Sequence, residues 1–249
     1  MTPDIQITQT GNVLEIYLNR PQKKNALTRA MYEAMAAALR DAENNPEIRV
    51  ILLAGTTGAF TAGNDLGDFL NSPPREGDSA GMQFLRALAQ STRVLVAAVD
   101  GVAIGIGTTL LLHCDLVVAG KGARFQLPFV DLALVPEAAS TLLLPRLVGY
   151  QRAAELFLLA EVFDADTAHE LGFVNRVVEE GQALPVAQEL AHRVASKPAA
   201  AVALTRRLLR DPGGSVMDRI TAEGVHFAAQ LQSDEAKEVF RRFLARAKP

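Results

Sequence analysis

The sequence predicts an α/β protein with substantially parallel strand pairing and a helical C-terminal region. Short apolar runs alternate with segments of helical spacing, a pattern typical of parallel sheets. The first two runs flank Gly11-Asn12, a dipeptide that favours a two-residue hairpin turn. From Tyr150 onward most patterns are helical, and three prolines separate them: Pro185, Pro198 and Pro212.

The composition is that of an ordinary globular protein. The 249 residues, 49% hydrophobic and 21% charged, are enough for a sizeable core in one large domain or one domain plus an appendage. A net charge of -3 argues against nucleic acid as the principal partner. Cys114 is the single cysteine, which excludes an intramolecular disulfide.

Without a signal-peptide pattern or an apolar run of about 20 residues, we expect a cytoplasmic protein with no membrane span.

The elements of the first half follow from local patterns. Strands are predicted at 5–10 and 13–18, and Thr28 is a suitable N-cap for a helix that ends near Glu43. One face of this helix carries Met31, Met35, Ala38, Leu39 and Ala42. A strand at 50–54 completes this unit.

The pattern then repeats along the chain. Helices are predicted at 81–92 and 106–114, and strands at 95–99, 116–119, near Phe125, and at 173–178. The segment 71–79 is rich in proline and charge, which predicts a surface loop beside the site that Gly63 and Asp65 help to build. We expect an α/β core over residues 1–195 and a helical C-terminal region over 196–249, to which the resemblance described below assigns oligomerisation.

Two glycine-bearing turns are candidates for anion binding. Gly105-Ile-Gly107 begins like a dinucleotide fingerprint, but Leu110 replaces the third glycine and the chain has no P-loop sequence, so nucleotide binding is not expected. A helix that starts at Ile106 directs free backbone N–H groups at a ligand. The turn at 59–66 offers the N–H of Asn64, and two such donors would form an oxyanion hole. The alternative is that both turns only connect strands to helices.

Four segments together resemble the enoyl-CoA hydratase/isomerase (crotonase) superfamily, in order along nearly the whole chain. They are Leu18-Asn-Arg-Pro-Gln-Lys-Lys-Asn-Ala-Leu27, Ala59-Phe-Thr-Ala-Gly-Asn-Asp-Leu66, Ala97-Ala-Val-Asp-Gly-Val-Ala-Ile-Gly-Ile-Gly107 and His113-Cys-Asp115. The resemblance implies a spiral of ββα units followed by a helical trimerisation region. It implies an acyl-CoA thioester substrate held as an enolate, with CoA as part of the substrate and no separate cofactor, and a homotrimer or dimer of trimers.

The resemblance also assigns site residues. The oxyanion donors would be the backbone N–H groups of Asn64 and Ile106. The expected CoA-binding residues are Lys24, Ala26, Ala62, Asp65, Leu66, Phe243 and Arg246, the last two in the tail that approaches a neighbouring subunit. His169, His192 and His226 lack the spacing of metal ligands, so no metal site is expected.

The departures from the family pattern concern the acids. Two-glutamate hydratases carry acids where this chain has Thr109 and Phe129, whereas the turn Val135-Pro-Glu-Ala-Ala139 offers Glu137 where single-acid isomerases carry theirs. A 1,3-proton shift needs only one carboxylate. Glu137 could instead be a surface residue before a helix at 138–143, and Asp131 competes for its role although it is expected to be solvated or structural.

Three hypotheses therefore remain open at this point. The first is an enoyl-CoA isomerase that uses Glu137 as acid and base. The second is an enoyl-CoA hydratase that adds water to a 2-enoyl-CoA, and the third is a catalytically silent acyl-CoA-binding protein. His113, which follows three leucines, is expected to be a core histidine rather than a base.

Overall fold

The computed structural model describes residues 2–56, 58–71, 79–211 and 213–246, without the side chains of Phe69, Asn71, Phe243 and Arg246. The chain divides into two compact units, 1–192 and 193–249. Most of the predicted loop at 71–79 lies outside the described residues. Among the helices described, none combines the length and the hydropathy that a bilayer span requires.

The first unit contains a six-stranded sheet. Its strands, in sheet order, are β1 (Ile5–Thr10), β2 (Val13–Leu18), β3 (Val50–Gly55), β4 (Val94–Val99), β6 (Leu116–Gly120) and β9 (Arg176–Val178). Only the β1–β2 hairpin is antiparallel, and its register pairs Thr10 with Val13 around the predicted turn. The other four pairings are parallel, which confirms the predicted α/β class. The side chains of β4 are buried along its whole length, as expected for a central parallel strand.

A second sheet is small and lies next to the glycine turns. It consists of β5 (Val102–Ile104), β7 (Arg124–Gln126) and β8 (Phe163–Asp164). Of these strands only β7, near Phe125, was predicted from the sequence; β5 and β8 are three and two residues long and offer little periodic pattern. At its β5 edge an isolated parallel bridge joins Ala103 to Thr61, in the loop that contains Gly63.

Helices lie between the strands and after them along the chain. In the first unit they are α1 (Arg29–Asn44), α2 (Leu66–Asn71), α3 (Ala80–Gln90), α4 (Ile106–Thr109), α5 (Ser140–Val148), α6 (Tyr150–Leu158), α7 (Ala165–Glu170) and α8 (Ala183–Ala195), which runs into the second unit. Thr28 caps α1 as predicted, since its side chain accepts the N–H of Met31. The second unit contains α9 (Ala199–Arg210), α10 (Val216–Gln232) and α11 (Asp234–Arg246).

Three local predictions require correction. The predicted helix at 106–114 is a single α turn followed by a 3₁₀ turn, Leu110–His113. The predicted helix at 138–143 begins only at Ser140, because Ala138 and Ala139 have φ of 56° and 53°, in the left-handed region. The predicted strand at 173–178 begins only at Arg176. Asp131 lies on an exposed 3₁₀ turn, Val130–Leu132.

A substitution at Gly63 would show how tightly the first unit is packed around this turn. Gly63 has φ of 89°, and a Cβ there would lie 2.8 Å from the carbonyl oxygen of Ile104. We therefore expect Gly63→Ala to lower the free energy of unfolding by more than about 3 kcal/mol. The control is Gly11→Ala, where φ is also positive but the space is open, with an expected cost of about 1 kcal/mol. Urea denaturation of both variants makes the measurement, and equal losses would contradict the steric argument.

Candidate active site

Backbone pairing holds the two glycine turns side by side. The N–H of Thr61 donates to Val102 at 2.9 Å, and the N–H of Ile104 donates back to Thr61 at 3.0 Å. The close approach also depends on Gly107, because a Cβ at that position would lie 2.6 Å from Cγ2 of Thr61. The loop that precedes α2 and the strand that leads into α4 therefore have a fixed relative register.

Asn64 is fixed by a second backbone bridge. The N–H of Leu27 donates to Gly63 at 2.8 Å, and the N–H of Asp65 donates to Leu27 at 2.9 Å. In a parallel bridge of this kind the residue opposite Leu27 directs its own N–H to the other side. Within the described part of the chain, the N–H of Asn64 has no backbone acceptor.

The N–H of Ile106 is free for a different reason. Ile106 is the first residue of α4, and the first N–H groups of a helix have no partner within it. The preceding Gly105 donates its N–H to Gln126 at 2.9 Å, and its carbonyl accepts the N–H groups of Thr108 and Thr109. Both predicted oxyanion donors thus lie on turns held by backbone bonds, and neither is used in the hydrogen bonds of the described residues.

Glu137 lies against the helix that carries the glycine turn. The hydroxyl of Thr109 donates to Oε1 of Glu137 at 2.5 Å. Glu137 is partly exposed, but burial of its carboxyl group raises its pKa to about 7, while the hydrogen bond from Thr109 opposes the shift. Thr109 and Phe129, which stand where the resemblance would place the acids of two-glutamate hydratases, are both buried. The structure therefore joins the unusual threonine to the candidate acid.

The backbone around Glu137 is also held in place. Ser140 is fully buried, and both its N–H, at 3.0 Å, and its hydroxyl, at 2.6 Å, donate to the carbonyl of Glu137. Nε2 of His113 lies 2.8 Å from the carbonyl oxygen of Ala138, so it is this nitrogen that carries the proton. His113 is buried, as predicted, and it ties the turn of Glu137 to the 3₁₀ turn after α4.

Tyr32 is a side chain of the site that the sequence did not single out. The hydroxyl of Tyr32, on α1, donates to Oδ1 of Asn64 at 2.5 Å. Burial, followed by the charge of Glu137, raises the pKa of Tyr32 well above 10. The sequence offered no signal for this role, because Tyr32 sits at an ordinary core position of an amphipathic helix.

Five of the predicted CoA-binding residues meet in one place: Lys24, Ala26, Ala62, Asp65 and Leu66. The N–H of Ala62 donates to the carbonyl of Lys24 at 2.8 Å. Arg20, which the sequence analysis missed, donates at 3.0 Å to the carbonyl of Ala26 and at 2.7 Å to Asp65. The side chain of Arg20 holds the pKa of Asp65 below its usual range. Leu66 is exposed.

The remaining predicted residues are elsewhere in the chain. Phe243 and Arg246 belong to α11 in the second unit, and their side chains lie outside the described residues. Asp131 is exposed on its 3₁₀ turn. Over the described residues, no three histidine, cysteine, aspartate or glutamate side chains are grouped so as to hold a metal ion.

Burial of Glu137 predicts a pH-dependent cost in stability. Between its ordinary pKa of 4.5 and about 7, the native carboxyl keeps a proton that the unfolded chain releases, so stability falls as pH rises through this window. Glu137→Gln removes the effect. Relative to wild type, this variant should gain about 1 to 2 kcal/mol in free energy of unfolding between pH 5 and pH 8, a figure discounted for partial exposure.

Chemical denaturation at the two pH values measures this gain. The matched control is Glu47→Gln, which removes a carboxylate from an exposed position. A stability difference between Glu137→Gln and wild type that is the same at pH 5 and pH 8 would contradict the raised pKa of Glu137.

Comparisons with known proteins identify the family of this chain. A sequence model described as enoyl-CoA hydratase/isomerase matches residues 8–249. The 1,2-epoxyphenylacetyl-CoA isomerase of Escherichia coli strain K12 is 32% identical over 245 residues, which cover 95% of this chain and 94% of the relative. The crotonyl-CoA hydratase of Syntrophomonas wolfei is 31% identical over 238 residues, which cover 94% and 92%.

A solved structure shows the same fold. It is described as an enoyl-CoA hydratase/carnithine racemase from Magnetospirillum magneticum AMB-1, and it superposes with a TM-score of 0.95 at 40% identity, covering 100% of this chain and 98% of that one. The matched region includes both glycine turns and the turn of Glu137. The chain therefore belongs to the enoyl-CoA hydratase/isomerase (crotonase) family.

Proposed function

We propose that this member of the family is an enoyl-CoA isomerase that moves a double bond by a 1,3-proton shift, with Glu137 as its single acid and base. The observation that carries the proposal is the hydrogen bond between Thr109 and Glu137. By resemblance, Thr109 stands at the position of one acid of the two-glutamate hydratases, and Glu137 stands at the position of the acid in single-acid isomerases. The hydroxyl of Thr109 donates to the carboxylate of Glu137. The pKa of about 7 suits a group that must both take and return a proton.

The mechanism assigns one role to each group. The backbone N–H groups of Asn64 and Ile106 donate to the thioester oxygen, which acidifies the hydrogens on C2. The Glu137 carboxylate takes one of these protons, and the C–H electron pair delocalises as a dienolate over the oxygen and C4. Protonated Glu137 then returns the proton to C4, which leaves the double bond between C2 and C3. Each oxyanion donor is worth about 10²- to 10³-fold in rate.

The acyl-CoA would be held by the loop segments on which the predicted CoA residues meet. Ala26, Ala62 and Leu66 offer small or apolar contacts for the adenine and pantetheine. The side chain of Lys24 is exposed and is suited to a phosphate. Asp65 is already paired with Arg20, so we assign it to shaping this loop beside the ligand. CoA enters as part of the substrate, and the proposed mechanism uses no other cofactor.

Hydration of a 2-enoyl-CoA is the second candidate function. Its supporting observation is the name of relatives such as the crotonyl-CoA hydratase of Syntrophomonas wolfei. Hydration requires the activation of a water molecule and the delivery of a proton to carbon, and here a single carboxylate would perform both steps. A silent acyl-CoA-binding protein would have no need of a basic carboxylate that is bonded to Thr109 and stands on a turn held by His113 and Ser140.

We also propose that the protein is a homotrimer or a dimer of trimers. In the second unit, α10 and α11 expose large apolar side chains, among them Met217, Ile220, Phe227, Phe240 and Leu244. Exposure of this extent is typical of a surface that another chain covers. Light scattering at micromolar concentration should give the mass of a trimer or its double. A monomer under these conditions would contradict the proposal.

Glu137→Gln tests the proposed chemistry. The amide keeps the shape of the side chain but removes the base, so isomerisation of a 3-enoyl-CoA should fall by about 10³-fold or more while the affinity for CoA persists. The wild-type rate should fall as pH drops below about 7, because the carboxyl group becomes protonated. The assay follows the 2-enoyl-CoA product, and calorimetry follows the binding.

The matched control is Asp131→Asn, which removes the competing carboxylate from an exposed turn and should leave the rate within about two-fold of wild type. Retention of most isomerase activity by Glu137→Gln would overturn the single-acid mechanism. Hydration of a 2-enoyl-CoA by the wild type, much faster than isomerisation of the 3-enoyl-CoA, would favour the second candidate.

A further inference from the structure

We propose that Tyr32 is a positioning residue that keeps the backbone N–H of Asn64 available to the enolate oxygen. The inference rests on the proposed function, because it assumes that this N–H is an oxyanion donor. Its basis is the hydrogen bond from the Tyr32 hydroxyl to Oδ1 of Asn64, a contact between the first turn of α1 and the turn before α2.

Asn64 is held from two sides by one short segment of chain. On the backbone side, Leu27 pairs with the residues that flank Asn64, through bonds of 2.8 and 2.9 Å. On the side-chain side, Tyr32 binds Oδ1 at 2.5 Å. Leu27 and Tyr32 are linked by the cap of α1, where the N–H of Tyr32 donates to the carbonyl of Thr28 at 3.1 Å. The segment 27–32 therefore fixes both the main chain and the carboxamide.

Packing fixes the position of the Tyr32 side chain. Its side chain is only 6% exposed, and its ring packs against Phe84 of α3 with the ring centroids 5.6 Å apart. Packing on this scale leaves the ring with little freedom to rotate. A buried hydroxyl requires a partner, and Oδ1 of Asn64 is the acceptor that the structure provides.

The chemistry of asparagine explains why the Asn64 side chain must be held by Tyr32. Asn side chains readily bond to neighbouring backbone N–H groups, so an unrestrained Oδ1 competes with the substrate for donors in this turn. A carbonyl oxygen turned toward the site would also repel the negative charge of the enolate. When Oδ1 accepts from Tyr32, one of its lone pairs is occupied and the carboxamide is held in one orientation. The side chain can then present only its amide N–H groups, which have no hydrogen-bond acceptor within the described residues.

The inference predicts a specific pattern of kinetic coupling. Tyr32→Phe should lower kcat about ten-fold and leave KM within about two-fold, since misorientation of a catalytic group acts mainly on the transition state. Asn64→Ala keeps the backbone N–H and removes the side chain through which Tyr32 would act, and its own kcat is measured as the reference for the double variant. In the Asn64→Ala background, Tyr32→Phe should cause no further loss. The substrate is the enoyl-CoA that the wild type converts fastest.

A merely structural role for Tyr32 would give a different result. Its effect would then persist in the Asn64→Ala background, and this outcome would overturn the proposal, as would a Tyr32→Phe variant with the kcat of wild type. The matched control is Tyr17→Phe, which removes another hydroxyl that donates to a side chain, that of Glu15. This control should lower Tm without changing kcat.

Ligand binding separates this inference from the proposed function. A 3-ketoacyl-CoA forms an enolate readily, so its affinity reports on the oxyanion donors without turnover, and CoA alone serves as the reference. Tyr32→Phe should weaken binding of the 3-ketoacyl-CoA about ten-fold and leave CoA binding unchanged. If wild type and variant bind the 3-ketoacyl-CoA equally, only the inference on Tyr32 fails. If wild type binds neither ligand, the proposed function fails as well.

Discussion

Backbone pairing between the strand β5 and two loops is the constraint on which the rest of the site depends. The segment that contains Thr61 and Gly63 bonds on one side to Val102 and Ile104 and on the other side to Leu27. These bonds extend the small sheet into a region without regular strands. They fix the turn of Asn64 relative to α4. They also require glycine at positions 63 and 107, where the backbone of Ile104 and the side chain of Thr61 leave no room for a Cβ. Rigid donors of this kind need no reorganisation when charge develops on a ligand.

The candidate acid depends on a different set of interactions. Removal of a carboxyl group from water is unfavourable for its charged form, and this cost is what raises the pKa of Glu137 to about 7. The hydrogen bond from Thr109 offsets part of this desolvation cost. Thr109 stabilises the charged carboxylate, while Ser140 and His113 bind only backbone carbonyls of the turn. The turn is thereby held in position while the carboxylate keeps most of its basicity.

The two sets of interactions meet through a few side chains. Thr109 belongs to the helix whose first N–H is an oxyanion candidate, and it also contacts Glu137. Tyr32 contacts Asn64, and its pKa is raised in part by the charge of Glu137. A proton shift along an acyl chain needs base and oxyanion donors at a fixed separation. Such shared contacts offer one physical means of maintaining that separation.

The sequence alone determined the features that depend on local pattern: the hairpin, the capped helix α1, the parallel α/β class and the glycine turns. It also singled out Glu137 and Thr109, since both stand in motifs that resemble a known family. The catalytic roles of Glu137, Asn64 and Ile106 stay predictions until they are measured. The sequence did not determine that Thr109 binds Glu137 across 28 positions, or that Tyr32 binds Asn64 across 32. Those contacts, like the left-handed alanines that delay α5, arise from tertiary packing between segments distant in the chain, and local periodicity carries no information about such packing.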